Sequence, residues 1–247
     1  MTTQQMLSVM RKGITKYQLI RDGDKIAVGV SGGKDSVTLL KLLAEYKRFS
    51  PEKFDLVAIT VDLNFTDHQV DYTPIRELCD GYGVPFHVEK TDIGKIVFDV
   101  RKESNPCALC SKMRKGALNS VAKALGCNKV ALGHHADDLI DTFLLSLFYE
   151  GRLSTFAPKS YLDKMDLTLV RPMIMIKEID VISYAKTLPV FKSCCPANYM
   201  TKREHVKTVL KNIATDIPNI RDMIFTALIH PERYNLFDKF ESQTDKF

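Results

Sequence analysis

The chain has 247 residues, 45% of them apolar and 26% charged, which suits one large soluble domain or a domain with a small appendage. A formal charge of +5 is too mild to argue for nucleic acid by itself, and no apolar run approaches the roughly 18 residues of a membrane span. The N-terminus lacks the charged-then-apolar pattern of a secretory signal, so a cytoplasmic location without membrane contact is expected, where six cysteines read better as metal or catalytic groups than as disulfides.

Residues 4–20 carry Met6, Leu7, Met10, Ile14, Tyr17 and Leu19 with Arg11, Lys12 and Lys16 between them, which predicts a basic amphipathic helix. Its basic face is either plain solvated surface or a contact for an RNA backbone. Residues 25–30, apolar and bounded by Asp22-Gly23-Asp24, predict a buried strand, and residues 37–43 repeat apolar side chains at helical spacing. Between them lies Ser31-Gly32-Gly33-Lys34-Asp35-Ser36. A glycine-rich turn from strand to helix presents backbone N–H groups at a helix N-terminus, where the macrodipole favours an anion. Gly32 and Gly33 let the backbone approach a phosphate, Lys34 adds a mobile positive charge, and Ser31 and Ser36 bring hydroxyls. The alternative is a tight turn with Asp35 and Ser36 as local caps. The spacing fits neither the Walker loop nor the three-glycine dinucleotide fingerprint. It resembles the Ser-Gly-Gly-x-Asp-Ser signature of the PP-loop ATP pyrophosphatases. That resemblance implies a loop holding the pyrophosphate end of ATP while the α-phosphate is attacked.

Residues 54–62 predict a second strand with Asp62 near its carboxyl end, where ligands gather in an open parallel sheet. Asp62 there either meets the ribose or adenine or caps the strand. A helix over 74–82 with Cys79 buried on it and a third strand over 85–89 continue the alternation, which argues for βαβ units and a parallel sheet. Cys107 and Cys110 are separated by two residues, as in a metal-binding pair, a redox pair, or two bystander thiols. Lys112, Arg114, Lys115 and Lys123 give the next helix a basic face that suits a polyanionic substrate.

Residues 128–133 predict a fourth strand opening into His134-His135-Ala136-Asp137-Asp138, followed by the helical stripe Leu139, Ile140, Phe143, Leu144 and Leu147. Adjacent carboxylates where strand gives way to helix hold Mg²⁺ or act as an acid–base group, unless Asp137 is simply an N-cap. His134 and His135 bind phosphate or satisfy hydrogen bonds in the turn. Residues 150–166 read as a mobile loop, 167–175 as a last strand, 176–188 as a helix, and 201–212 as a basic helix with Lys202, Arg203, Lys207 and Lys211. The adjacent Cys194 and Cys195 are too close for both sulfurs to chelate one tetrahedral metal, so one of them is easier to build as a third ligand.

The phosphate loop, Cys107 and Cys110, Gly133-His-His-Ala-Asp-Asp138 and a late cysteine occur in the order found in tRNA 2-thiolation enzymes. The chain resembles the tRNA 2-thiocytidine synthetase family over nearly its whole length, and its tail Asn235-Leu-Phe-Asp238 is similar to that family's ending. The resemblance implies a Rossmann-like α/β core of the HUP type, with a parallel sheet of about five strands. It implies an N-terminal helix over 1–20, a PP-loop domain over 21–190, and a helical segment over 191–247 that completes the site. It further implies ATP with Mg²⁺ and a [4Fe-4S] cluster held by Cys107, Cys110 and Cys195. Cys195 is preferred to Cys194 because it precedes Pro196, as in related 2-thiouridine enzymes; the contracted cysteine pair departs from the thiocytidine pattern. By the same resemblance residues 31–36 hold the phosphates, Asp62 and Gly133 the adenosine, and Asp137 or Asp138 the metal, with Lys34, Asp137 and Cys195 in catalytic roles. The implied reaction adenylates a pyrimidine carbonyl oxygen of tRNA and replaces it with sulfur from sulfide or a sulfur carrier, with 2-thiocytidine at position 32 as the first expectation. A homodimer is an assembly this reading allows. Rival readings are a 4-thiouridine or 2-thiouridine synthetase, a PP-loop ATPase acting on a small molecule, and a zinc-stabilised RNA-binding module without turnover.

Overall fold

The computed structural model describes residues 1–65, 70–101, 106–191 and 202–235. Their chain divides into two compact units, one drawn from Met1–Ala136 and Ala157–Asn198, the other from Asp137–Phe156 and Tyr199–Phe247. Among the described residues no helix is long and apolar enough to cross a membrane.

The first unit is a doubly wound α/β sandwich. Helix α1 (Thr3–Tyr17) starts on a capping box, with the Gln5 N–H donated to the Thr2 hydroxyl and the Thr2 N–H to the Gln5 side chain. It buries Met6, Leu7, Met10 and Ile14, the stripe its spacing predicts. Then follow β1 (Lys25–Gly29), α2 (Lys34–Lys47), β2 (Asp55–Asp62), α3 (Thr73–Gly81) and β3 (Phe86–Lys90). After the short α4 (Ile93–Lys95) and a π-helical stretch, Ile96–Arg101, come α5 (Pro106–Ala124) and β4 (Lys129–Ala131). The unit resumes with β5 (Lys159–Leu162), β6 (Leu167–Val170) and α7 (Glu178–Ala185).

These strands form one sheet in the order β3-β2-β1-β4-β6-β5, parallel except for the last pair. Successive side chains alternate between its faces. Ile26 and Val28 pack with Leu56 and Ala58 under α1, α2, α3 and α7, while Ala27 joins Val57 and Ile59 under α5. Burial on both faces is why β1 and β2 read as apolar runs with no polar alternation.

The sequence predicts about five strands and a loop over 150–166; the sheet has six, and β5 lies inside that stretch. It runs antiparallel to β6, with Leu162 opposite Leu167 across a turn in which Asp166 adopts a left-handed φ of 48°. An edge strand half open to solvent carries no long apolar run, which is why pattern reading passed over it. The strand predicted over 167–175 ends at Val170, because Pro172 has no N–H to give a ladder.

The second unit holds α6 (Ala136–Glu150, entered at Asp137), α8 (Lys202–Asp216) and α9 (Ile220–Ile229). Its core joins Ile140, Leu144, Val206 and Leu210, with Phe143, Ile224, Phe225 and Leu228 packed around them. The basic helix thus extends past its predicted end at 212, and α9 follows it.

Candidate active site

The sheet's first strand is flanked by β2 on one side and β4 on the other, so the chain order reverses between β1 and β4. Open α/β sheets bind ligands at the carboxyl ends beside such a reversal. The loops that leave β1 and β4 there are Ser31–Gly33 and Leu132–His135.

Val30 still donates its N–H to the Ile59 carbonyl at 2.8 Å, so the chain leaves the sheet only at Ser31. Gly32 then turns the backbone with a φ of +81°, a conformation glycine takes without strain. Gly33 precedes α2 in extended conformation, and its carbonyl accepts the Val37 N–H at 3.1 Å. The buried Ser36 hydroxyl donates to the Gly33 carbonyl at 3.0 Å and accepts the Ser31 N–H at 3.0 Å. A hydroxyl has one proton, so with that of Ser36 given to Gly33 the Ser31 hydroxyl, 3.1 Å from Ser36 Oγ, is the donor of that pair, and both serines brace the loop.

Lys34 opens α2. Its ammonium donates to Asp35 Oδ1 at 2.8 Å and to Oε1 of Glu178, the first residue of α7, at 3.1 Å. Burial alone would lower the lysine's pKa, but the hydrogen bonds and charges of Asp35 and Glu178 outweigh it and hold Lys34 above its ordinary value. His135, buried, brings Nε2 to 3.6 Å from Asp35 Oδ1. Gly133 sits against the start of α2, where a Cβ would meet the Asp35 carbonyl oxygen at 3.0 Å and the Ser36 nitrogen at 3.1 Å. Asp62 ends β2, and its Oδ1 accepts the Asn64 N–H at 2.9 Å, so one carboxylate oxygen serves the strand-ending turn.

Two contributors were missed from sequence. Glu178 was overlooked, although a charged residue opening a helix after a parallel strand lies at the ligand-bearing edge. Phe191 was passed over as an ordinary apolar residue. Its N–H donates to the Gly32 carbonyl at 3.1 Å, and its ring lies where a Gly32 side chain would begin, 1.9 Å from the ideal Cβ position. Tyr72 packs edge-on against that ring with centroids 6.0 Å apart.

The four described cysteines fall into two kinds. Cys79 and Cys127 are core side chains; burial pushes the Cys79 thiol up to about 12 and raises Cys127 as well. Cys107 and Cys110 lie in the first turns of α5, three residues apart on one face, the former exposed and the latter half-buried. Thiolate is the form of cysteine that binds metal. Their donor chemistry fits two thiolate ligands of an iron–sulfur cluster. Among the described residues no group of three or more His, Cys, Asp or Glu could hold a metal, and Cys194 and Cys195 lie outside those residues. Past the pair, Lys112 and Lys115 are exposed on α5, whereas Lys123 is paired with Asp166 at 2.9 Å.

Within the second unit, Asp138 Oδ1 accepts from Arg203 at 3.3 Å, and Asp137 Oδ1 from Arg221 at 3.0 Å. Arg221 also reaches Asp141 at 3.5 Å. Desolvation raises the Asp141 pKa, against the lowering pull of Arg221, Lys207 and Arg203. Metal ligation by Asp137 or Asp138 would therefore compete with arginine.

A parallel sheet with a glycine-rich loop and helix N-terminus at its reversal point defines a nucleotide-binding α/β protein of the phosphate-loop kind. A family model described as a PP-loop domain matches residues 3–192. The tRNA-cytidine(32) 2-sulfurtransferase of Syntrophotalea carbinolica is 39% identical over 234 residues, covering 92% of this chain and 89% of the relative. The protein of that name from Pelobacter propionicus is 39% identical over 227 residues, covering 89% and 84%. The U34-tRNA thiolase NcsA from Methanococcus maripaludis, solved with its [4Fe-4S] cluster, shares the fold with a TM-score of 0.75 at 24% identity, over 94% of this chain and 79% of that one. The chain belongs to the PP-loop family and, within it, to the family of tRNA-cytidine(32) 2-sulfurtransferases.

Proposed function

We propose that the protein is an ATP-dependent tRNA thiolase that adenylates a pyrimidine carbonyl oxygen and replaces it with sulfur, making 2-thiocytidine at position 32. The observation that carries this reading is the presence, in one α/β unit, of a phosphate loop at the sheet's reversal point and two cysteines three residues apart in the first turns of α5.

The chain's own groups divide the work. The loop of residues 31–36 receives the phosphates of ATP through the backbone N–H groups at the start of α2, braced by Ser31 and Ser36, with Lys34 neutralising charge as pyrophosphate departs. Gly133, lacking a side chain, lets the adenosine lie close to α2, and Asp62 offers its second carboxylate oxygen to the nucleoside. Asp137 or Asp138 would hold Mg²⁺, which would offset charge on the phosphates, in competition with Arg221 and Arg203. Lys112 and Lys115, with Arg114, engage tRNA phosphates beside the cysteines. Adenylation makes the pyrimidine oxygen a leaving group that departs with AMP. Cys107, Cys110 and Cys195 would hold a [4Fe-4S] cluster, which would supply the sulfur that replaces the activated oxygen. Support for Cys195 comes from Phe191, anchored on Gly32, because four residues of chain limit how far Cys195 can lie from the phosphate loop. In this reading residues 191–247 complete the site of a PP-loop domain spanning 21–190. The protein acts in the cytoplasm and receives sulfur from sulfide or a carrier.

The test is anaerobic reconstitution with iron and sulfide, followed by nucleoside mass spectrometry of tRNA incubated with ATP and sulfide. Thiolated cytidine with stoichiometric AMP, lost in Cys107→Ala, is expected. Full activity of that variant, or zinc without iron or labile sulfide in anaerobically purified protein that forms no AMP, would overturn the reading.

A further inference from the structure

Lys34 and Glu178 are the first residues of two helices that begin at the same edge of the sheet, α2 after β1 and α7 after β6. Their head groups meet at 3.1 Å, with Asp35 completing the cluster at 2.8 Å from the lysine nitrogen. Charge alone does not explain this. A site for a polyanion loses attraction when a second carboxylate stands beside its lysine. Nor does stapling of the two helices. The lysine and glutamate side chains are 31% and 24% exposed, and such pairs contribute only about 0–1 kcal/mol. Apolar packing already joins these helices, since Val37, Leu40 and Leu43 share one core with Val181 and Tyr184.

Direction does explain it. A lysine stem has about 2 kcal/mol of rotamer freedom, and Asp35, its own chain neighbour, is too local to fix where the ammonium points. Glu178 is the contact from a separate element. An ammonium has three N–H donors. Among the described residues two of them go to Asp35 and Glu178, leaving one to offer to a ligand.

We propose that Glu178 is a positioning residue for nucleotide binding, acting through Lys34 by fixing the direction of its remaining N–H. The proposal rests on the reading of residues 31–36 as the phosphate site. It makes Lys34 a preorganised donor, aimed before ATP arrives.

A double-mutant cycle tests it. The dissociation constant of a non-hydrolysable ATP analogue with Mg²⁺ is measured for the wild type, Lys34→Ala, Glu178→Ala and the double variant, beside Glu178→Gln and melting temperatures. Glu178→Ala is expected to weaken binding about 3- to 10-fold in the wild-type background and not at all in the Lys34→Ala background. Glu178→Gln keeps an acceptor at that position and is expected to stay within about 2-fold of wild type. Equal weakening in both backgrounds, a gain in affinity, or a glutamine loss as large as the alanine loss would each overturn the proposal. If Lys34→Ala itself binds the analogue normally, the phosphate-site reading has failed, an outcome distinct from failure of Glu178 alone.

Discussion

Gly133 faces Asp35 so closely that a Cβ on the glycine would stand 2.9 Å from the aspartate's carbonyl carbon. The neighbour is backbone at the first turn of a helix, which cannot yield as a side-chain tip can. Gly133→Ala should therefore push β4's exit away from α2, costing about 1–3 kcal/mol of stability by overpacking. Affinity for an ATP analogue should fall together with the melting temperature. A variant with wild-type values of both would show that the two segments separate freely.

Lys129 and Asp24 form the deepest ion pair described, 2.6 Å apart with side chains 8% and 5% exposed. Both ions are also satisfied elsewhere: Lys129 donates to the Leu19 carbonyl at 2.9 Å, and Asp24 accepts from Asn128 at 2.8 Å. Lys129→Met leaves a buried carboxylate without its cation and should cost about 3–5 kcal/mol in urea denaturation. The double variant with Asp24→Asn should recover much of that loss.

Asp141 gives a pH signature. Desolvation raises its folded-state pKa above the unfolded value, so the folded protein binds the proton more tightly. Its contribution is favourable below the ordinary aspartate range and is lost as pH rises through the raised folded value. Asp141→Asn should thus flatten the stability profile just above the ordinary aspartate pKa, and gain relative to wild type at neutral pH. Chemical denaturation between acidic and neutral pH reads this directly; an unchanged slope would mean that Arg221 fully compensates the burial.

The cysteines should separate by reactivity. Cys107 is exposed at a helix N-terminus, whereas Cys79 is buried with its thiol held near about 12. Brief iodoacetamide treatment of the reduced, metal-free protein should alkylate Cys107 far ahead of Cys79 and Cys127, as peptide mass spectrometry would show. Urea should abolish the difference.

The central strands and the glycine turn into α2 were legible because local chemistry announces them. Two-sided burial writes apolar runs into β1 and β2, and a phosphate loop needs glycines in a fixed order. Glu178 was not legible, since its partner lies 144 positions earlier in the chain. The arginine partners of Asp137 and Asp138 were hidden for the same reason: Arg203 and Arg221 sit on later helices, and ion pairing across elements leaves no spacing signal. Strand β5 escaped because an edge strand with Lys159 and Tyr161 facing outward resembles a polar loop. Cys195 and the end of the Asn235-Leu-Phe-Asp238 tail fall outside the described residues.

The strand order carries a consequence for synthesis. β1 is translated early and pairs with β2 soon afterwards, but its other edge, from Ile26 to Val28, waits for Lys129–Ala131. A growing chain therefore leaves the ribosome with the middle of its sheet open for about a hundred residues, an exposed template for mispairing. Gly133 lies two residues beyond β4, so its close approach to the start of α2 forms only when the sheet closes.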